Sequence, residues 1–431
     1  MKHALFVQTA FLSASHFFVR VIGLIMRIWL SRSLGAAAIG LVELAQSAQM
    51  LLITPVVSGL PAAVSRLSAK HTDDAGMQTR ALRCGIALSL WVSVPLMFSA
   101  FFLRNVLARW LGDMGTLPAL LVYLPCIPIL GISCALNGFC YGTGRTVAPA
   151  IGEIMEQLVR FVLTVRLVGL LKNLPHPLIA AIPAAATLAG ETISLAFMLA
   201  LCAPALLAGH SRAHMRSMRA EMIALALPLT GMRLVSSLMR TVCATLIPQR
   251  LQFSGLSRTD ALSQLGMMNG MIMPMLTLPS FVTCSLCMVA APELTRRQAQ
   301  HRALKPICRT LLFASFCIGL LAFGAVHLFS PFIANRLYHQ PQLEPYLRVC
   351  SALIPVMALC QTVGGIMNGL GLQGSSLRIS LASSLAHTIL TWLLAAVPSL
   401  RLGGVMIAMA VSQFITLVLS LRAIRPQINP D

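Results

Sequence analysis

Residues 17–35 read FFVRVIGLIMRIWLSRSLG. The stretch is apolar enough to form part of a membrane span, yet Arg20 and Arg27 lie inside it. A charge near the bilayer centre costs at least about 2.5–3.5 kcal/mol, so it usually faces a partner or a water-filled cavity. The seven-residue spacing places both arginines on one helix face. We therefore predict that they line a cavity that accepts an anion.

A second apolar run repeats this spacing with Arg233 and Arg240. We predict that the four arginines form matched pairs around one central cavity. The alternative is that the side chains snorkel to the lipid headgroups. Snorkelling applies mainly to Arg27 and Arg240, because Arg20 and Arg233 lie nearer the middle of their apolar runs.

The composition indicates an all-α polytopic membrane protein. Of the 431 residues, 57% are hydrophobic and only 10% are charged, unlike the composition of an ordinary soluble domain. The apolar runs predict about twelve transmembrane helices. Their predicted limits are 4–31, 36–64, 82–104, 118–142, 149–171, 177–207, 222–248, 262–291, 308–333, 346–372, 378–398 and 403–422. We expect the first to be retained as a span, because it is too long for a signal peptide.

The basic residues are distributed as in a membrane protein. A net charge of +20 raises the possibility of nucleic-acid binding, but most Lys and Arg residues lie in short loops between apolar runs. With the N-terminus in the cytoplasm, inside segments hold 17 of the 32 basic residues, and outside segments, including Lys172, hold nine. The positive-inside rule therefore predicts that both termini are cytoplasmic. We expect no nucleic-acid partner.

No sequence motif predicts a catalytic, nucleotide-binding or metal-binding site. The twelve cysteines lie mostly inside apolar runs and lack paired metal spacing, so we expect no metal and no disulfide. The sequence contains no GxxxxGK[ST] nucleotide loop and no aqueous domain for a catalytic set. We therefore predict a protein that is not an enzyme and needs no cofactor.

An internal repeat predicts two lobes. Matching residues separated by 231 positions are Pro61 and Pro292, Arg66 and Arg297, and Asn137 and Asn368. An even number of helices per copy makes the repeat parallel, with a pseudo-two-fold axis along the membrane normal. We predict an N-terminal six-helix lobe over 1–210 and a C-terminal six-helix lobe over 211–431. The basic loop Gly209 to Arg219 would be the hinge between them.

Acidic residues also occur inside the predicted spans. Glu156 and Arg160 are four residues apart in the favourable order for a helix pair, as part of a cavity wall or as a self-neutralised structural pair. Glu191 lies mid-span, and a lone buried carboxyl group there tends to be neutral, either as a proton site or as a hydrogen-bonded acid. With Glu43, these three residues join the four arginines as candidate substrate-binding residues.

Six segments carry a resemblance to a known family. They are VRVIGLIMRIWLSRSLGAAAIGL from residue 19, SGLPAAVSRLSA from 58, IMEQLVRF from 154, ALPLTGMRLVSSLMR from 226, IPQRLQFSGLS from 247 and GIMNGLGLQGSSLRIS from 365. The chain resembles the stage V sporulation protein B and polysaccharide-export branch of the MOP (multidrug/oligosaccharidyl-lipid/polysaccharide) flippases. The resemblance implies two lobes around a V-shaped cavity and alternating access for lipid-linked saccharides. A distant relative, the lipid II flippase, has a cationic cavity; by resemblance the four arginines take that role here.

We expect a flippase for an undecaprenyl-diphosphate-linked saccharide, such as a peptidoglycan or polysaccharide precursor, in the bacterial cytoplasmic (inner) membrane. Guanidinium groups bind phosphate in bidentate fashion, and the polyprenyl tail would stay in the bilayer. We expect a monomer. The sugar, the driving force and a sporulation role stay open.

Three alternatives remain at this point. A cation-coupled drug antiporter of the same superfamily would depend on the acidic residues. A membrane enzyme acting on polyprenyl-linked sugars would need an exposed catalytic loop, whereas the outside loops are short and poor in acids. A structural scaffold would leave the mid-span charges unexplained.

Overall fold

The computed structural model describes residues 2–72, 74–171, 174–207, 215–300 and 302–428, with side chains except in 2–13, 215–216, 288–289, 291–292 and 299. These residues are organised as α-helices joined by short connections, and no β-strand occurs among them. The prediction of an all-α protein is confirmed.

The helices follow one another closely along the chain. They are α1 Lys2–Val57, α2 Leu60–Lys70, α3 Ala75–Phe102, α4 Arg104–Trp110, α5 Leu117–Tyr123, α6 Cys126–Gly142, α7 Val147–Leu171, α8 His176–Ile179, α9 Ile182–Leu207, α10 Met215–Phe253, α11 Arg258–Leu265, α12 Met273–Thr277, α13 Ser280–Ala299, α14 Lys305–Leu328, α15 Ser330–Phe332, α16 Leu343–Ser351, α17 Ile354–Gly369, α18 Gln373–Leu394 and α19 Leu402–Ile428. A 3₁₀ turn precedes α5 at Met114–Thr116, and π-helical segments occur at Gly266–Ile272 and Ile333–Leu337.

Many of these helices are long and apolar enough to cross a membrane. Within the described residues seven segments qualify, or ten if each of three bent helix pairs is one span. The first segment, Ala14–Lys70, has 57 residues and a contour of about 85 Å, enough for two crossings of a core of about 30 Å. The chain is therefore a multi-pass membrane protein. The predicted twelve spans are consistent with these segments, and the number stays a prediction.

Gly35 interrupts α1. Its backbone angles are φ 77° and ψ 167°, a conformation that is almost restricted to glycine. The sequence predicts a break between residues 31 and 36, and the break is present there. Helical geometry resumes at Ala36 and continues to Val57.

Several of the predicted helices are interrupted or bent in the structure. The predicted helix 36–64 is interrupted between Val57 and Leu60, just before Pro61. The pair α5 and α6 is bent by 41°, and the pair α16 and α17 by 51°. Pro125 and Pro355 lie at these bends. Proline lacks an amide hydrogen and disfavours a helical conformation in the preceding residue, so these helices break where the sequence supplies one.

The chain forms two compact units. The first contains Met1–Met26 and Leu41–Thr241, and the second contains Arg27–Gly40 and Val242–Asp431. The core of the first includes Leu82 on α3 and Leu136 on α6, and the core of the second includes Cys308 on α14 and Ile366 on α17; all four are almost completely buried.

The predicted lobe boundary at 210/211 lies outside the described residues. So do residues 209–214 of the predicted hinge, whereas Met215 and the residues that follow belong to α10. The division into repeat lobes 1–210 and 211–431 therefore stays a prediction.

Candidate functional site

A charged cluster joins α7 to α9 in the first unit. Arg160 Nη2 forms an ion pair with Glu156 Oε1 on the same helix and lies 3.8 Å from Glu191 Oε1 on α9. The side chains of Arg160, Glu156 and Glu191 are only 23%, 18% and 10% exposed. The structure thus forms the pair that the four-residue spacing predicts. It also places Glu191, for which the sequence offers no partner, beside the same guanidinium.

Small residues bring α7 and α9 close enough for this contact. A Cβ atom added at Gly190 would lie 2.7 Å from the backbone oxygen of Glu156, closer than real Cβ atoms approach. A Cβ atom at Gly152 would lie 3.1 Å from Ser194 Oγ. Glycines at helix interfaces in membranes let backbones approach closely. The glycine beside Glu191 therefore explains how its carboxylate reaches the α7 charges.

The N-terminal half of α1 packs on the same face of α7. His16 Nδ1 lies 3.0 Å from Glu153 Oε2, with both side chains about one-third exposed. Farther along α1, a Cβ atom at Gly23 would lie 3.5 Å from Gln157 Nε2. Gln157 is buried, and its Nε2 has no hydrogen-bond partner within the described part of the chain.

His16 is a residue that the sequence analysis missed. The available signal was its spacing of four residues from Arg20, which puts both on one face of α1. That spacing indicates a polar helix face. It does not identify Glu153 as the partner, because that contact depends on how two distant helices pack.

The cluster carries an excess of acid. Glu156 and Glu191 supply two carboxyl groups against the single guanidinium of Arg160, and an uncompensated buried charge is costly. A proton held on one carboxyl group would balance the three side chains. The arrangement can therefore bind and release a proton. Among the described residues, no group of three or more His, Cys, Asp or Glu side chains is placed to hold a metal ion.

The four predicted arginines are divided between the two units. Arg233 and Arg240 lie on α10 in the first unit, are exposed, and have no hydrogen-bond or ion-pair partner among the described residues. Arg233 lies near the middle of the candidate span Ser217–Phe253. Arg20 is exposed and also belongs to the first unit.

Arg27 belongs to the second unit. It is partly buried, and its Nη1 lies 3.5 Å from the backbone oxygen of Asn269 in the π-helical segment. That the four arginines line one cavity stays a prediction.

Glu43 lies in the first unit and is partly buried. Tyr123, a buried residue at the end of α5, is within electrostatic reach of both Glu43 and Arg160.

A family model for polysaccharide biosynthesis proteins matches residues 6–298, which is more than half of the chain. The chain belongs to the polysaccharide biosynthesis protein family. A second family model, MatE, matches residues 250–393. These matches confirm the family resemblance that the six sequence segments indicate.

The similarity to known proteins extends over nearly the whole chain. Stage V sporulation protein B of Bacillus subtilis (strain 168) is 25% identical over 430 residues, which cover 97% of this chain and 83% of that protein. The lipid II flippase MurJ, in an inward closed conformation, has the same fold with a TM-score of 0.76 at 12% identity, covering 96% of this chain and 87% of MurJ.

A multidrug resistance MATE family transporter of the MOP superfamily, in its inward-facing conformation, also shares the fold. The TM-score is 0.72 at 17% identity, and the match covers 96% of this chain and 98% of the transporter. The fold of this family member is thus the one found in MOP transporters.

Proposed function

We propose that the protein is a flippase that moves a saccharide linked to polyprenyl diphosphate across the bacterial cytoplasmic membrane by alternating access. The lipid tail stays in the bilayer while the polar head passes through the protein. No covalent bond changes, so the activity needs neither a catalytic residue nor a cofactor. Both termini lie in the cytoplasm, and the protein works as a monomer.

Arg233 and Arg240 carry this proposal, because they are exposed and have no hydrogen-bond or ion-pair partner among the described residues. Two guanidinium groups on one membrane helix are costly unless they face a partner or a water-filled cavity, and an anion is the partner that their charge favours. The spacing of seven residues separates their attachment points by about 10 Å along the helix, so both can approach one extended polyanionic head group. A diphosphate fits, because guanidinium groups bind phosphate oxygens in bidentate fashion.

The relatives support this substrate class. MurJ is a lipid II flippase, and this chain shares its fold over most of both proteins. Stage V sporulation protein B, by its name, acts in sporulation. A lipid-linked precursor of the cell wall or of a polysaccharide is consistent both with these relatives and with the polysaccharide biosynthesis family.

A second candidate function is cation-coupled antiport of a small organic molecule. The observation that favours it is the acid excess at Glu156, Arg160 and Glu191, which can exchange a proton. A MATE transporter shares the fold. The same cluster is also compatible with a proton-driven flippase, so the two functions differ in substrate rather than in this site.

Purified protein in lipid vesicles separates the two functions. A fluorescent polyprenyl-diphosphate disaccharide placed in the outer leaflet should become inaccessible to an external quencher faster than in protein-free vesicles. A fluorescent organic cation under a proton gradient should not accumulate. Accumulation of the cation without movement of the lipid would favour the antiporter. Mass spectrometry of lipids that co-purify with the protein would identify the natural head group.

A further inference from the structure

A cavity lies inside the second unit, among α13, α17 and α19. Its volume is about 520 Å³, within the range of about 300–1,000 Å³ that is typical of small-molecule sites. Every lining residue belongs to Val242–Asp431, so this unit forms the cavity by itself.

The polar lining follows one face of each helix. On α17, Gln361, Gly364 and Asn368 are separated by three and four residues, which places them in one row along the cavity. Gln413 faces it from α19 and Ser280 from the start of α13. The polar positions are therefore gathered around one space instead of being scattered through the bundle.

These side chains have unused hydrogen-bonding capacity. Within the described part of the chain, the amides of Gln361, Asn368 and Gln413 and the hydroxyl of Ser280 have no hydrogen-bond partner in the protein. Each amide offers two donor hydrogens and one acceptor oxygen. Because Gln361 and Asn368 are exposed in this cavity, their amides are accessible to a ligand that enters it. The cavity therefore suits a ligand with many donors and acceptors.

The lining also defines the charge of that ligand. Among the described residues that line the cavity, there is no Lys, Arg, His, Asp or Glu. A diphosphate would have no cation to meet it here, and an organic cation would have no carboxylate. Neutral hydroxyl and acetamido groups match the amides and the hydroxyl without requiring a counterion. These are the functional groups of a saccharide.

We propose that this cavity in the second unit is a binding site for the uncharged saccharide part of the transported lipid. The inference rests on the proposed flippase function. It assigns recognition of the sugar to Gln361, Asn368 and Gln413, separately from the arginines proposed to hold the diphosphate.

Gly364 supplies a variant that fills the cavity. A Cβ atom there would meet nothing within 4 Å, so Gly364→Val would occupy open cavity space instead of clashing with the protein. Gly324 on α14 is a matched control, because a Cβ atom there also meets nothing within 4 Å and it does not line the cavity. Gln361→Leu tests the hydrogen bonding separately, because it removes the amide while retaining a similar size.

The experiment compares two probes in detergent-purified full-length protein. One is a short-chain polyprenyl diphosphate carrying an N-acetylhexosamine disaccharide, and the other is the same lipid diphosphate without sugar. We expect Gly364→Val and Gln361→Leu to weaken binding of the sugar-bearing probe by at least about tenfold, which corresponds to about 1.4 kcal/mol. Binding of the sugar-free probe should change less than twofold, and Gly324→Val should bind both like the parent.

Three cysteines in the cavity provide a second readout. Cys284, Cys287 and Cys360 line it and are partly accessible, whereas Cys317 is partly accessible outside it. The sugar-bearing probe should slow maleimide modification of the three cavity cysteines and leave Cys317 unchanged. If the free disaccharide protects them equally well, the saccharide is recognised without its lipid carrier.

The outcomes separate this inference from the proposed function. If the parent binds both lipids and the cavity variants lower neither affinity, the saccharide site is wrong and the flippase proposal stands. If the parent binds neither lipid, the flippase proposal fails. In that case, if the free disaccharide still slows modification of the three cavity cysteines, the cavity is a saccharide site. If it does not, the saccharide site is wrong as well.

Discussion

The guanidinium of Arg160 on α7 lies 3.8 Å from the carboxylate of Glu191 on α9, while it also forms an ion pair with Glu156. One cation thus serves two acids from different helices inside a predicted membrane span. The contact joins a local pair, fixed by helix geometry, to a residue that only tertiary packing can bring near. It makes the cluster both a structural link and a place where charge can change.

Removal of the shared cation should reveal coupling between the acids. Arg160→Met leaves two carboxyl groups facing each other, so we expect a lower midpoint of thermal unfolding in detergent. The double variant Arg160→Met, Glu191→Gln should regain part of the lost stability. The interaction free energy between the two substitutions should be roughly 0.5–3 kcal/mol. Arg166→Met, at an exposed position on the same helix, should change stability by less than about 0.5 kcal/mol. If the stability losses of the two single variants simply add up in the double variant, Arg160 does not interact with Glu191.

Close backbone packing in the second unit should make two glycines sensitive to substitution. A Cβ atom at Gly40 would lie 2.1 Å from the backbone oxygen of Leu262, and one at Gly266 would lie 2.0 Å from that of Ala36. Gly266→Ala should therefore destabilise by about 1–3 kcal/mol or more, because backbone must move. The control Gly324→Ala has open space and should gain up to about 1 kcal/mol from helix propensity. Thermal unfolding followed by size-exclusion chromatography measures both, and equal midpoints would refute the predicted close packing.

The helix break at Gly35 leads to a separate prediction. Its φ of 77° and ψ of 167° should make Gly35→Ala cost about 1–3 kcal/mol or force α1 to straighten. Gly23→Ala on the same helix is the control, because its new Cβ would make an ordinary 3.5 Å contact with a side-chain amide. Thermal unfolding in detergent, with flipping in vesicles as a second measurement, should separate the two variants. A Gly35→Ala protein as stable and active as the parent would show that the break is dispensable.

The sequence could predict features that depend on local geometry. Glu156 and Arg160 are paired because residues four apart meet on any α-helix. The break at Gly35 falls between two apolar runs, at a residue that tolerates positive φ. The bends of 41° and 51° also have a signal in the sequence, because a proline lies at each of them. However, whether Pro125 or Pro355 bends a helix or ends it depends on the surrounding packing, so the sequence alone does not fix the angle between the two parts.

Contacts between distant helices could not be predicted in this way. His16 and Glu153 are 137 residues apart, and nothing in either helix alone fixes the rotation that brings them together. The cavity of the second unit was missed for a different reason. Gln361 and Asn368 share one helix face, but uncharged polar residues in membrane helices commonly bind neighbouring helices, so the spacing alone did not indicate a cavity.

The distribution of basic residues predicts the orientation of the chain. A reporter that is active only in the cytoplasm should give signal when fused after Asp431, because inside segments hold 17 basic residues against nine outside. The same reporter inserted at Lys172 should be silent. Both positions lie outside the described residues, so the test rests on the charge distribution alone. An active fusion at Lys172 with a silent, fully expressed fusion at Asp431 would reverse the topology.

If Arg20 and Arg233 bind a diphosphate, their Lys, Ala and Glu variants should slow flipping to increasing degrees, in that order. Lysine keeps the charge but loses the planar fork, so Arg20→Lys and Arg233→Lys should slow flipping only partly. Arg20→Ala and Arg233→Ala should slow it by roughly 10- to 100-fold, since a hydrogen bond to a charged group contributes about 1.5–3 kcal/mol. Charge reversal to Glu should abolish flipping while protein level and membrane insertion stay near normal.

Arg109→Ala is the matched control for loss of a positive charge, because Arg109 is exposed on the short helix α4 and is not a candidate site residue. It should flip at the parent rate. The sugar on the probe should not alter the ranking of the Arg20 and Arg233 variants, because the contact is with the carrier diphosphate. The measurement is flipping of a labelled polyprenyl-diphosphate sugar in vesicles that contain each purified variant. If both Ala variants flip at the parent rate, these arginines snorkel or stabilise the fold, and Arg160 becomes the next candidate for the diphosphate, because it lies in the buried charged cluster of α7.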